Sequence, residues 1–330
     1  MTSSVKKNGY GQSHAKIILI GEHSVVYSKP AIALPLSAVK TTIKILPAAS
    51  GIQTIDCRYF SGPLKMMPPI MKGLQHLIFY ILKKLQQENA GLQIKVTSQL
   101  PEERGMGSSA AAAVAMARAL YDFFDQPLDH QLLLNLANIE EVDTHGNPSG
   151  LDAATSASSV PVWMIKGKEL VKLPIKLDAC LLICDSGIKG RTKEAVAAVK
   201  ERLQKFPQQT QTLLDSLGKL TFLARQQLAQ NDPRGLGKTF TQAQDDLKKL
   251  GVSSPLLDQL IKKSLTLGSL GSKLTGGGRG GCFICLMPNT LTAQKAAESL
   301  KTAGATATWI QPLTANQADQ GGNFGDYSAS

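Results

Sequence analysis

Aromatic residues are scarce, at 5% of the 330 residues. A surface that reads single-stranded nucleic acid needs rings interleaved with basic side chains. The lysines here run instead in stretches such as KKLQQ, IKKS and DDLKKL, which look like solvated helix faces. Long apolar runs are missing as well. No segment reaches the ~18 apolar residues of a bilayer-spanning helix. The IILI near the start is shorter than the ~7–15-residue core of a secretion signal. Cysteine is limited to Cys57, Cys180, Cys184, Cys282 and Cys285. That odd number lacks the spacing of a disulfide framework. Together these absences point to a cytoplasmic protein with neither a membrane nor a nucleic acid as its partner.

What is present suits a folded chain of two domains. The sequence is 43% hydrophobic and 18% charged, enough to fill real cores. Lys plus Arg outnumber Asp plus Glu by 36 to 25, a net charge of +11. Such a surface concentrates anions, phosphorylated metabolites among them. Cys282-Phe-Ile-Cys285 has the letters of a CxxC motif. It lies in the apolar run GCFICLM, which reads as a buried strand whose positions three apart face opposite sides. A metal knuckle or redox pair would need a turn or a helix start, so these are core cysteines.

Periodicity gives the coarse organisation. AKIILI is a short strand, Gly21-Glu22-His23 a turn, and SVVYSKPAIALPL and VKTTIKILPAA are extended. Apolar residues from Leu74 to Leu85 recur at helical spacing between Met71 and Gln87. LQIKVTSQL alternates as a strand. Helices follow at about 109–124 and 129–143, and HGNPSGLDAA breaks the second. VPVWMIKGKELVKL forms a hairpin turning at 166–168, and DACLLICDSG is a buried strand. Four helices over 192–206, 209–230, 234–250 and 254–268 then lead to SKLTGGGRGGCFICLM. The change of pattern sets a domain boundary near 176–178, giving domains over 1–177 and 178–313. Residues 314–330, polar and rich in Gly and Ser, form a mobile tail.

Four stretches ask for a chemical reason. In Gly105-Met106-Gly107-Ser108-Ser109, glycines let a ligand approach the backbone. The helix start behind them offers free N–H groups and positive partial charge to an anion. Taken alone, it reads equally well as a serine cap on an alanine-rich core helix. No Walker A sequence occurs. Residues 276–281, Gly-Gly-Gly-Arg-Gly-Gly, match GxGxxG by letter. A strand follows where a dinucleotide fold needs a helix, so the stretch reads as a second glycine turn on the same ligand or as a plain loop. The third stretch is Gly21-Glu22-His23, six residues after Lys16. The fourth is His145 to Asp152, whose Asp is by default a turn or cap residue.

In order and approximate spacing, the four together resemble the GHMP kinase superfamily over about residues 14–286. KIILIGEHSVVYSKPAIALPL and HGNPSGLDAATS are closest in character to its mevalonate kinase branch. The resemblance implies an α+β, two-domain GHMP kinase fold. Its N-terminal domain would be like domain 2 of ribosomal protein S5 and its C-terminal domain ferredoxin-like, with the active site between them. It implies transfer of the ATP γ-phosphoryl group to the C5 hydroxyl of mevalonate, with Mg²⁺, by a monomer or homodimer. Carried over residue by residue, Asp152 is the base and Lys16 its neighbour. Gly105, Met106, Gly107 and Ser108 supply amides to the ATP phosphates, and Ser98 touches ATP. Ser109 and Glu141 hold Mg²⁺. Glu22, His23 and Thr192 lie beside the substrate, His23 being the nearest partner for its carboxylate. Gly277 and Gly278, in the turn that buttresses the phosphate loop, bind the substrate as well. The chain departs from the family at His14-Ala15, at Glu102-Glu103-Arg104, at Met106 and at Arg279, in the manner of a bacterial branch. The diphosphomevalonate decarboxylases share fold and aspartate and are the alternative enzyme. A binding protein that has lost catalysis is the alternative of another class.

Overall fold

The computed structural model describes residues 8–100, 104–145 and 150–314. Residues 315–330 of the expected tail, Pro101, Glu102 and Glu103, and residues 146–149 lie outside the described residues. The first half is built on a sheet of seven strands. They are β1 (Gly9–Ile20), β2 (Pro30–Pro47), β3 (Gln53–Cys57), β4 (Phe60–Pro63), β5 (Leu92–Ser98), β6 (Val162–Ile165) and β7 (Glu169–Lys172). The path runs β4-β3-β5-β2-β6-β7, and β1 pairs with β2. Every pairing is antiparallel except β3 with β5. Four helices accompany it: α1 (Lys72–Lys84), α2 (Ser108–Phe123), α3 (His130–His145) and α4 (Leu151–Ala157).

The second half carries α5 (Thr192–Lys205), α6 (Pro207–Ala229), α7 (Pro233–Lys249), α8 (Pro255–Thr266) and α9 (Thr290–Thr302). Its four strands, β8 (Cys180–Asp185), β9 (Gly271–Leu274), β10 (Cys282–Met287) and β11 (Ala307–Pro312), form an antiparallel sheet ordered β11-β8-β10-β9. The four cysteines of this half lie in β8 and β10, buried and unbridged. Burial pushes the thiol of Cys282 well above its usual value.

Alanine explains how α2 sits. Ala110, Ala111, Ala113, Ala115, Ala117 and Ala119 are all buried. Opposite them, β1 presents Gly9 and Gly11. A methyl group on Gly11 would lie 2.0 Å from the carbonyl oxygen of Ala115. Helix and strand therefore meet backbone to backbone, which fixes where the start of α2 points. One apolar cluster runs through both halves. It joins Ile17, Leu19 and Leu34 of the first sheet to Leu182, Phe283 and Phe240 of the second half. The two sheets are thus held against each other by core packing.

Some elements differ from the sequence reading. Ser24–Tyr27 is a short 3-10 helix, and the 18-residue β2 joins what read as two extended pieces. The HGNPSGLDAA break turns into helix again at Leu151. Strands β3, β4, β9 and β11 and helix α9 carried too little pattern to be assigned.

Candidate active site

Lys16 lies in the inner half of β1, and its backbone N–H donates to the carbonyl of Met106 at 2.9 Å. That bond clips the glycine-serine turn onto the strand. Gly107 ends the turn with φ +71° and precedes α2 with no side chain capping it. A Cβ on Gly107 would stand 2.8 Å from Lys16 Cγ. The turn therefore needs glycine both for its conformation and to leave the lysine stem room. The first N–H groups of α2 are left for a ligand, and Ser108 and Ser109 sit in that first turn. The serine-cap reading fails here: Gly107 occupies the N-cap position, no side chain caps the helix, and both serines lie inside it.

Across from this turn, Gly150 at φ +80° starts α4 and puts Asp152 in its first turn. Lys16 Nζ lies 2.7 Å from Asp152 Oδ1, the lysine side chain 3% and the aspartate 32% exposed. An ammonium is thus held beside a carboxylate that one side leaves open. Glu141, from α3, accepts the backbone N–H of Ala153 at 2.8 Å. Burial, and next the charge of Asp152, push its carboxyl up to about 8. Glu140 points elsewhere, as helix geometry requires, and takes the hydroxyl of Thr144 at 2.6 Å.

The second half contributes the glycine turn before β10. Gly276 and Gly105 pack backbone to backbone. Cys282 donates its N–H to the carbonyl of Arg104 at 3.2 Å. Thr275 ties this turn to β1: its hydroxyl donates to Ile18 O at 2.8 Å and accepts from Ile18 N at 3.1 Å. Gly277 packs on Thr192, the first residue of α5, and any Cβ there would collide with it. Gly278 accepts the N–H of Arg191 and faces Val252, so it supports the turn from behind.

Glu22 and His23 follow β1 into the same region. His23 holds φ +58°, a conformation that few non-glycine residues adopt outside functional sites. Its Nε2 is 3.0 Å from the carbonyl of Gly277, which makes Nε2 the protonated nitrogen and leaves Nδ1 as an acceptor. Burial is the main reason its pKa falls to about 4. The ring is therefore neutral, and the positive charge that a substrate carboxylate calls for is not on His23. Ser98 lies at the end of β5 with its hydroxyl on Thr41 Oγ1 at 2.8 Å and Leu100 N at 3.2 Å. The structure brings Lys16, Asp152, Glu141, Glu22, His23, Thr192 and both glycine turns into one region and gives Ser98 partners of its own outside it.

Two groups escaped the sequence reading. Lys273, on β9, is fully buried and donates to Glu22. Arg104 Nε lies 3.2 Å from Asp185 Oδ2 and ties the phosphate turn to the end of β8. A charged residue inside the short run SKL was the only available signal for Lys273. Asp185 was hidden because it closes an otherwise apolar strand.

Comparison with known proteins agrees with this geometry. Residues 76–159 match the GHMP kinases N terminal domain, and residues 224–306 match the GHMP kinases C terminal domain. A two-domain GHMP kinase fold is thus the class that both halves define. The mevalonate kinase of Pyrococcus furiosus is 30% identical over 313 residues, 88% of this chain and 92% of its own. The crystal structure of Leishmania major mevalonate kinase in complex with R-mevalonate superposes with a TM-score of 0.82 at 25% identity. That match covers 96% of this chain and all of the other. The enzyme of methicillin-resistant Staphylococcus aureus is 32% identical with a TM-score of 0.70, covering 93% and 99%. The chain belongs to the mevalonate kinase family. No helix among the described residues is long and apolar enough to cross a membrane.

Proposed function

We propose that this protein transfers the γ-phosphoryl group of ATP to the C5 hydroxyl of mevalonate, giving 5-phosphomevalonate and ADP for isoprenoid synthesis. The observation that carries the reading is the Lys16–Asp152 pair, 2.7 Å apart, facing the open start of α2. In phosphoryl transfer most of the catalysis is positioning and charge neutralisation. The amides of Gly105, Met106, Gly107 and Ser108 and the first turn of α2 hold the phosphates. Asp152 takes the proton as the C5 oxygen bonds to the γ-phosphorus and the bond to the ADP oxygen breaks. A base so placed is worth about 10²–10⁴-fold in rate. Lys16, 2.7 Å from Asp152, puts a positive charge beside the acceptor hydroxyl and favours its alkoxide form. Thr192, Glu22, His23 and the Gly277 turn frame the acceptor.

The residues present fit Mg²⁺ delivered with its nucleotide. Among the described residues no three His, Cys, Asp or Glu side chains gather to make a metal cage. Mg²⁺ prefers one or two protein oxygens, with phosphates and water completing its shell. Ser109 and Glu141 would hold it, and the charge of the ion would favour the ionised form of Glu141, which burial and Asp152 oppose. Bound there, the ion would neutralise charge on the β- and γ-phosphates. Ser98 is assigned to ATP on the family resemblance alone, since its hydroxyl is engaged by Thr41 and Leu100. The domain division at 177/178 is supported by the gap between β7 and β8. Five unbridged cysteines support a cytoplasmic setting.

The test is ADP release with Mg-ATP and, side by side, mevalonate, phosphomevalonate, diphosphomevalonate and galactose. Turnover with mevalonate, giving a phosphate monoester, is the expected result. Turnover with diphosphomevalonate and release of CO₂ would make the protein a decarboxylase of the same fold. A folded sample that binds ATP and acts on none of the four would overturn the reading.

A further inference from the structure

Gln244 lies in α7 and is buried. A buried side-chain amide is tolerated only where its oxygen and its nitrogen both find partners. Here Oε1 accepts the backbone N–H of Leu274 at 2.9 Å. Nε2 donates to Ser253 Oγ at 3.2 Å and to Asp258 Oδ1 at 3.4 Å. Ser253 donates to the same carboxylate oxygen at 2.7 Å, and Lys248 Nζ stands 3.0 Å from Asp258 Oδ2. The acceptors of the amide nitrogen are thus themselves braced.

The amide grips the approach to the second glycine turn. β9 is an edge strand, so its outward N–H groups have no neighbouring strand to take them. Leu274 ends β9 and donates outward to Gln244. The N–H of Thr275, next in the chain, turns inward to Cys282 O at 3.1 Å, and its hydroxyl is bonded to both N and O of Ile18. Gly276 and Gly277 follow, packed on Gly105 and on Thr192. Behind the turn runs the connection from α7 to α8. There Val252 O accepts the N–H of Arg279 at 2.8 Å, and Ser253 is the residue that Gln244 holds. One side chain therefore bonds both the strand that enters the turn and the loop that backs it. An apolar side chain could cover the edge, but it could not fix the spacing between the two.

We propose that Gln244 is a positioning residue for phosphoryl transfer: by bridging Leu274 and Ser253 it sets where Gly276 meets the phosphate turn and where Gly277 meets Thr192 and His23. The inference rests on the reading of the preceding subsection. Gln244 acts through the turn and not on a reacting atom. A displacement of about 1 Å in the reacting groups is enough to cost about 10²-fold in rate.

Gln227 of α6 supplies a matched control. It is buried as well, and its Oε1 accepts the hydroxyl of Thr239 at 2.9 Å, a bond from helix to helix. Gln244→Met and Gln227→Met are compared in Tm and, well below the Tm of each protein, in kcat and both KM values. Both should lose Tm. Gln244→Met should also lose about 10- to 100-fold in kcat. Its KM values for ATP and for the acceptor should stay within about threefold, since no group that binds either is removed. Gln227→Met should keep the wild-type kcat. Gln244→Glu keeps an acceptor for Leu274 but sets a second carboxylate against Asp258, and it should be as slow as Gln244→Met. Adding Asp258→Asn to it restores the hydrogen bond with donor and acceptor exchanged, and kcat should return to within about threefold of wild type. A wild-type kcat in Gln244→Met, equal kcat losses in the two Met variants, or no recovery in the double variant would each overturn the proposal. The wild type is tried first on the four acceptors named above, and the variants are compared on the one it phosphorylates. Activity on another of the four in place of mevalonate overturns the functional reading, and the same comparison then decides the role of Gln244. A wild type that acts on none of them overturns both.

Discussion

Glu141, near the end of α3, accepts the backbone N–H of Ala153 at 2.8 Å, one residue past Asp152 in the first turn of α4. Two carboxylates from different helices thus share one small region with a single nearby ammonium, that of Lys16. The ammonium is 2.7 Å from Asp152. Burial disfavours the ionised form of Glu141 first, and the charge of Asp152 adds to it. The carboxyl of Glu141 thus favours its neutral form beside Asp152, an arrangement suited to receiving a cation.

That division of charge predicts a pH dependence of stability. With its value raised from 4.5 to about 8, Glu141 favours folding fully below pH about 4.5. That contribution is lost as pH rises through about 8. Glu141→Gln keeps the acceptor for Ala153 and cannot ionise. In metal-free buffer its Tm should match wild type near pH 5 and exceed it above pH 8. Parallel Tm curves for the two proteins from pH 5 to 9 would show that Glu141 is not held neutral.

His23 should govern the acid side. Burial lowers its pKa from 6.5 to about 4. Its contribution to stability is therefore present above pH about 6.5 and lost as pH falls through about 4. His23→Gln retains a donor for Gly277 and cannot take up a proton. It should flatten the fall of Tm between pH 6.5 and 4, and thermal melts in that range decide the matter. A variant that loses stability with acid as steeply as wild type would place the titrating group elsewhere.

The sequence revealed most of this site because its chemistry is local. Glycines at 105, 107 and 150 hold positive φ next to helix starts, and such positions announce themselves by residue type. The long helices α6 and α7 were legible from periodicity. Buried charge was not. Lys273 and Glu22 lie 251 residues apart in the chain, and no local pattern marks either as the other's partner. Strands β3 and β4 are short and half-exposed, so alternation had too few residues in which to appear. The helix start at Leu151 was obscured because seven residues are too few for a period to show.

Arg104 supplies a third prediction. The guanidinium pairs with buried Asp185, and its backbone carbonyl takes the N–H of Cys282. Loop 104–107 is thereby fixed at one end to the second sheet and at the other to Lys16. Arg104→Met should loosen the loop and raise the KM for ATP about 10-fold, the loss of one largely shielded charged hydrogen bond. The KM for mevalonate should be little changed. Arg104→Lys should recover only part of the loss, because a lysine cannot reproduce the guanidinium geometry. Initial-rate measurements in both substrates check it; an unchanged ATP KM in Arg104→Met would reject it.

Packing of α2 on β1 gives a prediction about folding alone. A methyl group at Gly11 would meet the Ala115 carbonyl at 2.0 Å and the Ala119 nitrogen at 2.5 Å, both backbone atoms that cannot swing away. Gly11→Ala should therefore cost about 1–3 kcal/mol, the range for overpacking a tight core. Gly51, with nothing within 4 Å of its Cβ position, is a control whose only penalty is its φ of +79°. Gly51→Ala should cost about 1–2 kcal/mol, the strain of a left-handed conformation. Urea melts of the two variants compare them. Gly11→Ala should also slow catalysis, because displacing α2 moves the phosphate turn, whereas Gly51→Ala should leave turnover at the wild-type rate.

The last prediction separates the base from its neighbour. Asp152→Asn keeps shape and removes the proton acceptor, so turnover should fall by about 10²-fold or more. Nucleotide binding should persist, because the amides of the glycine turn are untouched. A variant with more than about a tenth of the wild-type rate would contradict the base role. Lys16→Met acts differently. It leaves a carboxylate, 32% exposed, without its counter-charge but still able to accept a proton. It also removes a cation from beside the transferring group. Its defect should appear in kcat with Mg-ATP and be smaller than that of Asp152→Asn, because the carboxylate can still take the proton. Comparing kcat for the two single variants and the double variant distinguishes a missing base from a missing charge, and a double variant no slower than Asp152→Asn would mean that the two residues act as a single unit.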